Sequence, residues 1–161
     1  MHGLFYIAKE GSWVSKLIAF VTKRDKVKGY PAVSHYEHMF DDDTFYSASE
    51  QDGCTRFKSG KDIHPESGKW IKVPIDLTKD QKREVLGKCM LEEGAKYDFL
   101  GTLFWHTPFE NPSKDFCSEQ GFRHLYEVDY LKTISGKCSP NKLLGMLIHK
   151  QEEILKEKRS T

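Results

Sequence analysis

The hydrophobic period of this chain changes once, and that change limits the fold more than any single motif does. From His2 to Ile75 the apolar residues fall mostly in short runs rich in aromatic and β-branched side chains, separated by turn residues. From Thr78 onward they recur at helical spacing. Strand-like segments with one leading helix, followed by helices, predict an α+β fold in which helices cover one side of an antiparallel sheet.

His2–Ala8 reads as a strand, Gly11 as a turn, and Ser12 as the N-cap of a helix carrying Trp13, Val14, Leu17, Ile18 and Val21. Val33–Phe40 and Thr44–Ala48, separated by Asp41-Asp42-Asp43, read as a hairpin. A short run at Thr55–Phe57 lies between Gly53 and the turn-like Ser59-Gly60-Lys61. Lys69–Ile75 has strand composition, and Pro74 puts it at an edge or a strand end. Thr78 and Gln81 form a capping-box pattern opening a helix with Val85, Leu86, Cys89 and Met90 on one face, which makes Cys89 a core residue. Tyr97–Phe104 is an aromatic segment, and Pro108 and Pro112 mark a loop. A helix follows from Phe116, and Ser139-Pro140 starts the last one. The expectation is one domain over 1–150 and a charged helix end or tail over 151–161.

Composition narrows the partners. Of 161 residues 38% are apolar, about 45% with the 12 glycines, which is enough for a packed core. Lys plus Arg number 25 against 24 Asp plus Glu, so no overall charge draws the chain to nucleic acid. No apolar run approaches membrane-spanning length and no secretory signal is recognisable, so synthesis in the cytoplasm is the expectation. The four cysteines, Cys54, Cys89, Cys117 and Cys138, form no C-x-x-C pair. A metal set of His35, His38, Cys54 and His64 lacks the short paired spacing of zinc sites, and neither a metal nor a cofactor is expected.

Cys117 falls in the first turn of a predicted helix, where unpaired N–H groups and the helix dipole favour a thiolate. Asp115 and Glu119 oppose that charge unless a cation compensates. In Ser34-His35-Tyr36-Glu37-His38 the strand alternation puts His35 and Glu37 on one face, Tyr36 and His38 on the other. His35 is thus a candidate base for Cys117, its other ring nitrogen oriented by Glu37 or by Ser47 on the paired strand. Tyr97, 20 residues before Cys117, is placed to donate to a developing oxyanion. The plainer reading of the same residues is a buried cysteine, solvated hairpin histidines and a core tyrosine.

Taken together, Leu17–Lys23, Val33–Glu37, Tyr46–Ser49 with Asp52-Gly53 and Arg56-Phe57, Lys96–Gly101, Asp115–Glu119 and Cys138-Ser139-Pro140 resemble the circularly permuted, YiiX-like branch of the NlpC-type papain-like cysteine hydrolases. The resemblance covers roughly residues 3 to 142, with the histidine block ahead of the cysteine block as that branch has it. It implies a sheet or partial barrel packed against helices, Cys117 as nucleophile, His35 as base and then acid, Tyr97 at the oxyanion site, and Glu37 as third member with Ser47 open. Gly53-Cys54-Thr55 departs from the glycines that relatives commonly show there, and Cys54 has no place in the mechanism. The implied substrate is a cell-wall peptide or related amide, cleaved by a bacterial or phage enzyme delivered to a wall or virion by other proteins. A lipid acyl group is the alternative, with Phe99, Leu103, Phe104, Trp105 and Phe109 as groove residues. A non-catalytic component, for example of a phage particle, is the rival class; the joint presence of Cys117, His35 and Glu37 argues against it.

Overall fold

The computed structural model describes residues 1–49, 51–96, 116–132 and 137–160. Strands β1 (His2–Ile7), β2 (Val33–Met39), β3 (Thr44–Ser49), β4 (Cys54–Ser59) and β5 (Trp70–Pro74) form one antiparallel sheet ordered β4-β3-β2-β1-β5. The described helices are α1 (Trp13–Val21), α2 (Gly60–Ile63), α3 (Lys79–Leu91), α4 (Cys117–Glu127) and α5 (Pro140–Ser160). The chain is α+β.

Local chemistry sets most boundaries. The Ser12 side chain accepts from the Ser15 N–H and starts α1. At α3 the Gln81 N–H donates to Thr78 Oγ1 at 3.2 Å while the Thr78 N–H donates to Gln81 Oε1 at 3.0 Å. Ser139 Oγ accepts from the Lys142 N–H at 3.0 Å, with Pro140 as the first residue of α5. The charged segment from Gln151 continues α5 to Ser160. Pro74 sits on β5 at the sheet edge, where a missing N–H costs no ladder bond. Ser59-Gly60-Lys61, read from sequence as a turn, instead enters the short helix α2 through a Ser59–Asp62 capping box.

The core lies between one face of the sheet and helices α4 and α5. Phe5, Tyr36 and Tyr46 from the strands meet Leu125, Leu143, Leu144 and Leu147 from the helices, all fully buried. The face predicted for α3 is narrower than its apolar pattern. Val85 and Cys89, four residues apart, are fully buried, but Leu86 and Met90 are 37% and 64% exposed. That helix meets the core along a single row rather than a broad stripe.

Two contacts fix β2 relative to the helices. Buried Asn141 on α5 accepts from the Val33 N–H at 3.0 Å and donates to Thr22 Oγ1 at 2.9 Å, satisfying the backbone where β2 begins. On α4, Gly121 lies directly against the Tyr36 ring, where any Cβ would overlap ring atoms. No described helix is long and apolar enough to cross a membrane. Gly121→Ala is expected to force α4 off the sheet and cost about 1–3 kcal/mol by overpacking. Thermal unfolding of the variant measures that loss, and an unchanged midpoint would show that the ring moves aside freely.

Candidate active site

Strand alternation and helix start together assemble the site. The cross-strand pairs Tyr6–His35 and Leu4–Glu37 put His35 and Glu37 on the sheet face opposite Tyr36. Tyr6 also pairs with Trp70 on β5, their rings 4.9 Å apart and nearly perpendicular, and Trp70 lies 6.4 Å from the His35 ring. His35 is therefore walled by two aromatics, with 23% of its side chain exposed.

Cys117 is the first residue of α4 and is 3% exposed. Phe116, in the N-cap position, has no side-chain oxygen to cap the first turn, and the thiol stands at the helix start where backbone N–H groups point outward. His35 contacts Glu37 Oε1 through Nε2 at 3.1 Å, and Cys117 is near enough to it to shift its pKa. With Nε2 committed to the carboxylate, Nδ1 is the nitrogen left for the thiol.

Glu37 is almost wholly buried and is held by more than the histidine. Arg56 on β4 grips it with both arms of the guanidinium, Nη1 to Oε2 at 2.9 Å and Nη2 to Oε1 at 2.7 Å. To reach from β4 to β2 the guanidinium crosses β3 beside Ser47, its small cross-strand neighbour. Ser47 Oγ donates to the Tyr36 carbonyl at 2.6 Å. Of the two orienting groups left open by the sequence, Glu37 is the one bonded to His35. The chain of charges continues outward from Arg56 Nε to Asp52 at 2.9 Å, and Lys58 also pairs with Asp52 at 2.7 Å.

These contacts decide protonation. Burial would lower the His35 pKa, but its neighbours Cys117 and then Glu37 outweigh that and raise it to about 10. Burial would raise Glu37, yet the hydrogen bonds from His35 and Arg56 win and hold it below the usual carboxylate range. By contrast, burial pushes the thiols of Cys89 and Cys138 well up.

A cleft of about 340 Å³ opens on the His35 side. Its walls include His35, Glu37 and Arg56 with Tyr6, Trp70 and Lys58, and Cys117 is not among them. Ser34 also lines it and carries a buried hydroxyl with no hydrogen-bond partner among the described residues. Tyr97, Asp115 and the aromatic stretch from Phe99 to Phe109 lie outside the described residues. His35, His38, Cys54 and His64 do not gather; His38 instead meets Cys89 and His124 on the other face of β2.

The sequence reading assigned Arg56 no role, because its reach to Glu37 depends on sheet order. A signal for it was present: a buried carboxylate on β2 requires a partner cation, and a lone arginine in a strand-like run is the natural source. Comparison with protein families, curated proteins and solved structures finds no match for this chain.

Arg56→Ala would leave Glu37 buried with only the imidazole as partner, and the expected loss is about 3 kcal/mol of stability. Arg56→Lys recovers little, since an ammonium cannot bond both carboxylate oxygens in one plane. Denaturant unfolding of the two variants checks this. A lysine variant as stable as the parent would show that charge alone suffices.

Proposed function

We propose that this chain is a cysteine hydrolase of the amidase or peptidase type, built on the permuted NlpC-type papain-like plan, acting through a thioester at Cys117. One observation carries the reading: a thiol at a helix start neighbours an imidazole that a buried, arginine-clamped carboxylate holds through Nε2. Structural cysteines in a core have no use for such a chain.

In the proposed reaction the Cys117 thiolate attacks the carbonyl carbon of an amide, and the carbonyl π electrons move to oxygen. The Cys117 backbone N–H and, as the resemblance implies, the Tyr97 hydroxyl stabilise that oxyanion. The His35 imidazolium gives its proton to the departing nitrogen, the carbon–nitrogen bond breaks, and a thioester remains. His35, now neutral, takes a proton from water as it attacks the thioester, then returns it to the Cys117 sulfur or keeps it as the imidazolium. Glu37 holds the ring in position and stabilises its charged form, and Arg56 holds Glu37.

The walls of the cleft favour a polar amide. Glu10, Ser12, Ser15, Arg56 and Lys58 offer donors and acceptors of both charge signs along one side of His35. A lipid acyl substrate is the second reading, favoured by Trp13 and Phe20 on α1, which are 68% and 69% exposed on a helix that also contributes Ser15 and Ile18 to the cleft.

The test is hydrolysis of cell-wall peptide fragments, simple peptide amides and acyl lipids in vesicles. The wild-type chain is expected to turn over a peptide amide and to show a covalent acyl adduct on Cys117 by intact mass. Cys117→Ala should be inactive, and Tyr97→Phe should lose about a hundred- to a thousandfold in kcat. Turnover undiminished in Cys117→Ala would overturn the assignment; turnover of the lipid alone would select the second reading.

A further inference from the structure

On the sheet face away from His35, three fully buried side chains from three different elements bring their ligand atoms together. His38 on β2 places Nε2 3.2 Å from His124 Nδ1 on α4, and Cys89 on α3 places Sγ 3.7 Å from the same nitrogen. All three atoms lie within 4.8 Å of one another.

Hydrogen bonds pair every ring nitrogen of the two histidines and leave the thiol as the weakly held member of the group. An imidazole nitrogen without a proton has one lone pair in the ring plane, and His124 Nδ1 faces two candidate donors, the His38 ring and the Cys89 thiol. If the His38 ring donates to that nitrogen, the Cys89 thiol has no second lone pair of His124 to bond. A single cation is the arrangement that uses all three atoms at once, because it accepts a lone pair from each.

The outer contacts are those a metal site needs. His38 Nδ1 lies 2.9 Å from the Tyr36 hydroxyl, and His124 Nε2 lies 2.9 Å from Glu92 Oε2. With a proton on each of these outer nitrogens, the inner nitrogens both present lone pairs to the same point. Glu92 is itself held by Gln120 Nε2 at 2.9 Å and Arg123 Nη2 at 2.9 Å. Tetrahedral Zn²⁺, with bonds of about 2.0–2.1 Å to nitrogen and about 2.3 Å to sulfur, spaces its ligand atoms about 3.3–3.6 Å apart. The two separations from His124 Nδ1, 3.2 and 3.7 Å, lie near that spacing, and the three atoms all fall within 4.8 Å.

The geometry points to a zinc site with three protein ligands, His38, Cys89 and His124, and a water as the fourth, with Tyr36 and Glu92 orienting the two imidazoles. The Cys89 thiolate would offset half the charge of Zn²⁺, and the Glu92 carboxylate, shared with Arg123, would offset part of the rest. On binding, Cys89 gives up its thiol proton to solvent as the zinc–sulfur bond forms, and no electron changes hands. Because the ligands come from β2, α3 and α4, the ion would join the sheet to both helices and would load as the chain folds. The inference does not depend on the proposed hydrolase reading, since the two sites share no residue.

The test uses the full chain, unfolded in reducing buffer with chelator, then refolded with one equivalent of Zn²⁺ or Co²⁺ and desalted. One bound metal per chain is expected, with a higher unfolding midpoint in Zn²⁺. The Co²⁺ form should show a thiolate-to-cobalt charge-transfer band and the strong visible bands of tetrahedral cobalt. Cys117→Ala, which removes the other thiol–imidazole pair, should bind as the parent does, and Cys89→Ala should lose the charge-transfer band. Since Cys89→Ala opens a space in the core, a second chain leaves the cluster intact: with Cys54→Ala, Cys117→Ala and Cys138→Ala, only Cys89 remains, and the band should persist. Glu92→Gln should weaken Zn²⁺ binding about 10- to 100-fold. Absence of stoichiometric metal in the refolded parent, or metal lost in Cys117→Ala and kept in Cys89→Ala, would overturn the site. The cluster would then be a buried hydrogen-bond relay from Tyr36 to Glu92.

Discussion

Glu37 is a carboxylate with a side chain 1% exposed, and the cost of burying its charge organises one whole face of the sheet. An isolated carboxylate there would take up a proton or unfold the strand. It stays charged because Arg56 supplies two hydrogen bonds and His35 a third. Each partner is fixed in turn, Arg56 by Asp52 and His35 by Cys117 and the flanking Tyr6 and Trp70 rings. Removing any member strands another, so the row from Cys117 to Asp52 behaves as one electrostatic unit rather than a set of separate pairs.

Strand β2 supplies both polar centres of the molecule. Its odd-numbered residues His35 and Glu37 face the cleft, while Tyr36 and His38 face the helices. The same helix α4 then serves both sides, with Cys117 at its start neighbouring His35 and His124 two turns later contacting His38. Gly121 lies between them in sequence and lets the helix approach the Tyr36 ring closely enough for both contacts. The position of α4 over β2 is thus the geometric condition for the candidate active site and for the buried imidazole pair alike.

Much of this was legible in the sequence where the signal is local. The caps at Ser12, Thr78 and Ser139, the aspartate turn between β2 and β3, and Pro74 on an edge strand all follow from short-range chemistry. Cys117, His35 and Glu37 were selected as a group from a helix start and a two-residue period, and the fold brings these three together. What the sequence hid depends on distance along the chain. Arg56 reaches Glu37 across an intervening strand, and Cys89 and His124 join His38 only once two helices are packed on the sheet. The exposure of Leu86 and Met90 is likewise a matter of how α3 docks, which its own periodicity does not encode.

The account rests on the pairing of Cys117 with His35, and the pH dependence of Cys117 alkylation by iodoacetamide reads that pair directly. Cys54, Cys89 and Cys138 serve as internal controls when each site is followed by mass spectrometry. Because the His35 value is raised to about 10, its positive charge is present throughout neutral pH and is lost only as pH rises toward that value. Cys117 should therefore react faster than the other three thiols below pH 7, and His35→Ala should abolish that advantage. A Cys117 that reacts no faster than Cys54 at neutral pH, or that keeps its rate without His35, would contradict the pair and the hydrolase reading with it.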